Sequence, residues 1–376
     1  MLAVAYLAAI LAPSQLPDDP ASFPIAVWLQ DPRNAPRYKE AGINLYIGLW
    51  KGPTEAQLAA LRDAGMRVIC AQNAVGLAHK EDPTIAAWMH GDEPDNAQEV
   101  TDRETGKKRY GPPIPPARIV ADYEVLRKAD PSRPVLLNLG QGVANDSWVG
   151  RGPDGRFEDY RGYIQGADIV SFDVYPVAGV GAPDRLWLVA KGVNRLTTWA
   201  DARKPVWACI ETGIIDRPDR KPTPRQVEAE VWMALIAGAR GLIYFVHQFQ
   251  PRFNEHALLD DPEMLAAVSA LNHRVREMAP ALKKGEEIAG ARVESSRPET
   301  SIALLWIRYE GADYGFAVNR QPVATTGTFV IPGAPNMAAA EVLGEGRTIA
   351  LDCGKFADEF EPNAVHLYRA RNPRGE

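Results

Sequence analysis

From Pro24 to about residue 285, short apolar runs alternate with longer stretches in which apolar positions recur at helical spacing. The runs are Ile25–Leu29, Ile43–Ile47, Arg67–Ala71, Ala87–Asp92, Val135–Leu139, Ile169–Tyr175, Pro205–Glu211 and Gly241–Val246. Strands alternating with helices predict repeated βα units and a parallel sheet. Among the helices, Thr54–Ala64 stops at Gly65, a residue suited to the left-handed turn that closes a helix. Thr223–Ala239 opens with Thr-Pro-Arg-Gln, which supplies an N-cap hydroxyl, a proline at the first helical position and a glutamine to complete the capping box. Pro262–Met278 reads as the last helix. The connection between the third and fourth strands is short and poorly helical, so one helix is expected to be degenerate. Eight βα units in about 260 residues fit a (β/α)8 TIM barrel. A doubly wound open sheet would carry a Gly-rich phosphate-binding turn after its first strand, and none is present.

After Gly285 the pattern changes to short alternating runs separated by turn residues: Ile302–Tyr309, Tyr314–Val318, Thr326–Ile331, Ala339–Leu343, Arg347–Leu351 and Val365–Tyr368. They predict a small antiparallel β-sandwich domain that braces the barrel. At the other end, residues 2–12 (LAVAYLAAILA) form an uncharged apolar run too short for a membrane span of about 20 residues. A polar, Pro-rich stretch follows. This is the shape of a secretory signal segment without its basic start, and it predicts cleavage near Ser14 and export to the periplasm or beyond. The expected organisation is a signal segment and linker over 1–20, a barrel over 21–285 and a β domain over 286–376.

The chain has 376 residues, 46% of them apolar, which suffices for a large core. Net charge is −6 without a concentrated basic stripe, which argues against nucleic acid as a partner. Three cysteines, Cys70, Cys209 and Cys353, are too few and too scattered for a disulfide framework, and Cys70 and Cys209 read as buried apolar residues. The six histidines share no ligand spacing, so neither a metal nor another cofactor is expected.

In a barrel of this kind the residues at the C-terminal ends of the strands carry the chemistry. Two carboxylates stand there: Glu93, in His90-Gly91-Asp92-Glu93-Pro94-Asp95 after the fourth strand, and Glu211, at the end of the seventh. Strands four and seven lie across a barrel mouth, so the two are expected to face each other over a cleft. Such a pair suits glycoside hydrolysis, in which one group protonates a poor alkoxide leaving group while the other attacks or stabilises an oxocarbenium-like centre.

On these features the chain resembles the clan A glycoside hydrolases, retaining (β/α)8 enzymes with an acid/base Glu ending strand four and a nucleophile Glu ending strand seven. The resemblance covers residues 24–285 and implies Glu93 as acid/base, Glu211 as nucleophile, and a β-glycosidic or stereochemically similar bond as the one cleaved. The clan places Asn before its acid/base to contact the sugar 2-hydroxyl; here Asp92 stands instead. A carboxylate at that place, with Glu211 ionised opposite, would raise the pKa of Glu93, as a general acid requires. The resemblance also implies a Tyr beside the nucleophile, and Tyr175 matches.

Further candidates follow from position. Ser171, Asp173 and Tyr175 share one face of the sixth strand. Asn138, near the end of strand five, can reach a hydroxyl. Trp28, Trp50, Trp148 and His247 are candidates to cover the apolar faces of sugar rings, whereas Trp88, Trp199 and Trp232 read as core. The expected function is a retaining glycosidase acting on an oligo- or polysaccharide. The alternative is an exported, non-catalytic carbohydrate-binding protein on a decayed barrel.

Overall fold

The structure is a computed structural model that describes residues 23–101, 105–152, 154–333 and 338–371. The expected signal segment and linker, residues 1–20, lie outside the described residues. Eight strands close a parallel barrel in sequence order: β1 (Ile25–Trp28), β2 (Leu45–Ile47), β3 (Arg67–Ala71), β4 (Ile85–Asp92), β5 (Val135–Leu139), β6 (Ile169–Phe172), β7 (Val206–Glu211) and β8 (Gly241–Phe245). Closure is made by β1 against β8, with Ile25 opposite Leu242. Side chains alternate across the wall as a strand requires. On β7, Val206, Ala208 and Ile210 pack outward against helices, while Trp207 and Cys209 point into the barrel. Gly241 makes room for that arrangement, because a Cβ there would lie 2.5 Å from the Trp207 ring.

The helices are α1 (Ala35–Glu40), α2 (Glu55–Ala64), α3 (Ala74–Ala78), α4 (Pro116–Ala129), α5 (Tyr160–Tyr163), α6 (Trp187–Trp199), α7 (Pro224–Ile236) and α8 (Pro262–Lys284). The expected capping box of Thr223 with Gln226 forms, a second joins Thr54 to Gln57, and Gly65 closes α2 with φ 61°. The degenerate helix between β3 and β4 is α3, of five residues. The last helix runs past the expected end at Met278, through Pro280, because Ala279 and Ala281 remain buried against the barrel.

The β domain comprises β9 (Glu286–Glu287), β10 (Arg292–Ser295), β11 (Ile302–Tyr309), β12 (Ala312–Asn319), β13 (Thr325–Val330), β14 (Ala339–Val342), β15 (Arg347–Ala350), β16 (Lys355–Phe360) and β17 (Val365–Arg371). A six-stranded antiparallel sheet (β9-β11-β12-β17-β14-β15) and a three-stranded one (β10-β13-β16) enclose Trp306, Phe329, Phe356, Phe360 and Tyr368. Strand β16 escaped the sequence pattern because an inward position is Asp358. Its carboxylate is held by the Arg347 guanidinium at 2.8 and 2.9 Å and by the Tyr368 hydroxyl at 2.8 Å. The sandwich is fixed to the barrel where Trp232 of α7 stacks on Phe316 of β12, ring centres 5.5 Å apart.

Candidate active site

A cleft of about 820 Å³ opens at the C-terminal end of the barrel strands. Its walls differ in chemistry. On the β8 side, Phe245, His247, Phe249 and Phe253 stack on one another with ring centres 5.0–6.3 Å apart, and Tyr175 from the end of β6 joins them 5.0 Å from Phe245. Trp28 from β1 and the exposed Trp50 after β2 extend this apolar surface. Burial pushes His247 down to about 4, so its ring is a neutral member of the wall at neutral pH.

The opposite side is acidic. Asp92 and Glu93 from the end of β4 and Asp173 after β6 line it together with Asn138 of β5. Asn138 donates to Asp92 Oδ1 at 2.9 Å and accepts from the Ser171 hydroxyl at 2.8 Å, which fixes the direction of the amide. Glu93 has φ 44°, a backbone state that costs a non-glycine residue about 1–3 kcal/mol and is found where a side chain must be aimed. Its backbone is pinned there by an N–H bond to Asn138 at 3.0 Å and by Asn96, whose N–H reaches the Glu93 carbonyl at 3.1 Å. The Asn96 side chain also hydrogen-bonds the Glu93 carboxyl group. Gly140 must lack a side chain, since a Cβ there would lie 2.7 Å from the Asn96 amide and 3.0 Å from Glu93 Oε1.

Glu93 and Asp173 are in hydrogen-bonding contact with each other. Oδ1 of Asp173 is buried without a fixed donor, so the contact requires a proton between the two carboxyl groups. Burial is the chief cause that raises both, Asp173 well above the ordinary carboxylate range, and the negative fields of Asp92 and Asp95 add to it. Beneath them Asp95 is fully buried, accepting from Gly140 N–H at 2.8 Å and from the Tyr160 hydroxyl at 2.9 Å. The pair therefore holds a proton more tightly than free carboxyl groups do. Tyr175 donates a long bond to Asp173 Oδ2 at 3.4 Å.

The structure does not bring Glu211 to this cleft, which corrects the expected Glu93–Glu211 pair. The carboxylate is fully buried and turned to the loop after β6, where it accepts Val177 N–H at 2.7 Å and Ala178 N–H at 2.5 Å. The β7 residue that does line the cleft is Cys209, two positions earlier, and burial keeps its thiol protonated. The raised state of Glu93 thus owes nothing to Glu211. Instead Glu211 contacts the carboxyl group of Glu230 on α7, also fully buried. Burial pushes Glu211 up to about 7 and raises Glu230 well above the ordinary carboxylate range. The folded state therefore holds protons that the unfolded chain releases near 4.5, and stability falls as pH rises from there through 7. The melting temperature should decline across this interval, and Glu230→Gln should make the decline shallower, as read by thermal denaturation at several pH values.

The other candidates divide. Asp92, Asn138, Asp173, Tyr175, Trp28, Trp50 and His247 all line the cleft. Trp148 does not line it; its indole N–H donates to Asn96 Oδ1 at 2.8 Å, so it touches the site through the residue that holds Glu93. Trp88 and Trp232 are buried, as expected, and Trp199 stacks on Tyr160. Sequence reasoning missed Asn96, Asp95, Gln30, Phe245, Phe249 and Phe253. The aromatic spacing in Phe245-Val246-His247-Gln248-Phe249 and Phe253 was the available clue. Among the described residues no group of three or more His, Cys, Asp or Glu is arranged to hold a metal ion, and no helix is long and apolar enough to cross a membrane.

No protein-family model and no curated protein sequence matches the chain. Solved structures do resemble it in fold. An α-amylase from Geobacillus thermoleovorans, complexed with acarbose, superposes with a TM-score of 0.55 at 12% identity, over 94% of this chain and 99% of that one. A GH27 β-L-arabinopyranosidase from Geobacillus stearothermophilus gives 0.52 at 12% identity, over 94% and 97%. A putative α-galactosidase/melibiase from Bacteroides fragilis gives 0.52 at 9% identity, over 93% and 79%. These likenesses establish the TIM barrel followed by a β-sandwich domain.

Proposed function

We propose that the protein is a glycoside hydrolase whose working carboxyl groups are Glu93 and Asp173. The observation that carries this reading is the contact between these two carboxyl groups on the acidic side of a cleft whose other wall is aromatic. Sugar rings have apolar C–H faces for such a wall and hydroxyls for the polar floor. One proton held between two carboxyls is the state that glycoside cleavage needs: an acid to protonate the leaving oxygen and a carboxylate for the anomeric carbon. Glu93, on the longer arm, donates its proton as the C–O bond to the leaving group breaks, and an Asp173 oxygen bonds to the anomeric carbon. In the second step Glu93 takes a proton from water, whose oxygen displaces Asp173. Retaining enzymes keep their two carboxyls about 5–5.5 Å apart and inverting enzymes about 6.5–9.5 Å, so a pair this close lies nearer the retaining separation. Sugar-acting neighbours on the same fold, including one complexed with maltose, support an oligo- or polysaccharide as substrate.

The test is a panel of α- and β-linked aryl glycosides and polysaccharides, with Glu93→Gln measured beside the wild type. General-acid loss should lower turnover of unactivated substrates by roughly 10²–10⁴-fold, and far less where the aryl leaving group needs no proton. Saccharide binding without turnover in the wild type would instead favour a non-catalytic carbohydrate-binding protein.

A further inference from the structure

We infer that Glu211 and Glu230 form a positioning device that sets the loop after β6, and through it Tyr175 and Asp173. The inference rests on the glycosidase reading only for its kinetic consequence. Glu211 lies at the end of β7, and Glu230 on α7 approaches it from outside the barrel. The Glu211 backbone N–H bears on the Glu230 carboxyl without making a well-formed hydrogen bond, and no cation acts on either group, so the two side chains hold together by a shared proton. That leaves the Glu211 oxygens free to accept two consecutive backbone N–H groups, Val177 and Ala178. The same turn closes on itself: the Tyr175 carbonyl accepts Gly179 N–H at 3.0 Å and Val180 N–H at 2.7 Å, and the Pro176 carbonyl accepts Ala182 N–H at 2.7 Å. Tyr175 is thereby fixed one residue before Pro176 and two after Asp173. Its hydroxyl meets Asp173 and its ring meets Phe245. A carboxylate at the end of a barrel strand thus acts on the cleft from behind.

An amide at position 211 puts an N–H₂ where one of the two backbone N–H groups points. In Glu211→Gln the amides of Val177 and Ala178 should lose at least tenfold in hydrogen-exchange protection, whereas Glu230→Gln, whose amide donates to the Glu211 carboxylate, should keep them protected. This readout needs no activity, so it decides the loop assignment even if no glycoside is cleaved, an outcome that would sink the glycosidase reading alone. On an identified substrate Glu211→Gln should lose tenfold or more in kcat/KM at a temperature where it is fully folded, and Glu211→Gln/Tyr175→Phe should be no slower than the slower single variant. Unchanged protection in Glu211→Gln, additive kinetic losses, or azide-restored turnover in Glu211→Ala would each overturn the inference, the last by making Glu211 a nucleophile.

Discussion

Replacing Asp173 by alanine should lower turnover by about 10³–10⁴-fold or more, the scale on which positioned charge and proton-transfer groups act. Azide supplied in solution should then restore a measurable rate on an aryl glycoside and give a glycosyl azide of inverted configuration. The expectation comes from geometry. Asp173 is the carboxyl group in contact with Glu93, its Oδ1 has no fixed donor, and Tyr175 holds only Oδ2. The small anion fits the space left by the deleted carboxylate and attacks the anomeric carbon once, without a second displacement. Product analysis by NMR decides the matter. Azide rescue in Glu211→Ala but not in Asp173→Ala would return the nucleophile to β7.

The second large effect is on stability. Asp95→Ala should cost about 2–4 kcal/mol, because it leaves Gly140 N–H and the Tyr160 hydroxyl buried without an acceptor, and each such orphan costs roughly 1–3 kcal/mol. Removal of a desolvated carboxyl group offsets part of that sum. The variant should also be slow, since the Gly140 turn abuts both Asn96 and Glu93. Denaturant titration gives the first quantity and steady-state kinetics the second. Asp95→Asn, which keeps an acceptor oxygen, should recover more than half of the stability. An Asp95→Ala protein as stable as wild type would show that the buried network is dispensable.

Much of the architecture was legible because it follows from local rules. The eight strands, the Gly65 stop of α2, the Thr223 capping box and the weak helix before β4 are set by residues near one another in the chain. The acidic corner was half legible: Asp92 and Glu93 stand together after β4, and alternation placed Ser171, Asp173 and Tyr175 on one face. What the sequence could not reveal was a competition among distant groups for the same carboxylate. Alternation along β7 puts Trp207, Cys209 and Glu211 on one side, and it holds through Cys209. At Glu211 two backbone N–H groups from the loop after β6 outweigh the cleft, because a buried carboxylate gains more from fixed donors than from a site already crowded with negative charge. Strand β16 was hidden for a related reason. Asp358 looks like a surface residue until Arg347 and Tyr368 are found across the sheets.

The two walls of the cleft come from different parts of the chain. The proposed bond-breaking groups, Glu93 and Asp173, follow β4 and β6, whereas the cleft's most exposed aromatics, Trp50, Phe249 and Phe253, stand on the loops after β2 and β8. Such a division makes the molecule modular in evolution. On the proposed function, exchange of residues 248–255 should alter which sugar chain is held, and at how many positions, while the Glu93–Asp173 pair and its supports stay intact. Diversification of this scaffold would then be recorded first in that short segment, where new specificities could be selected without first rebuilding the reaction.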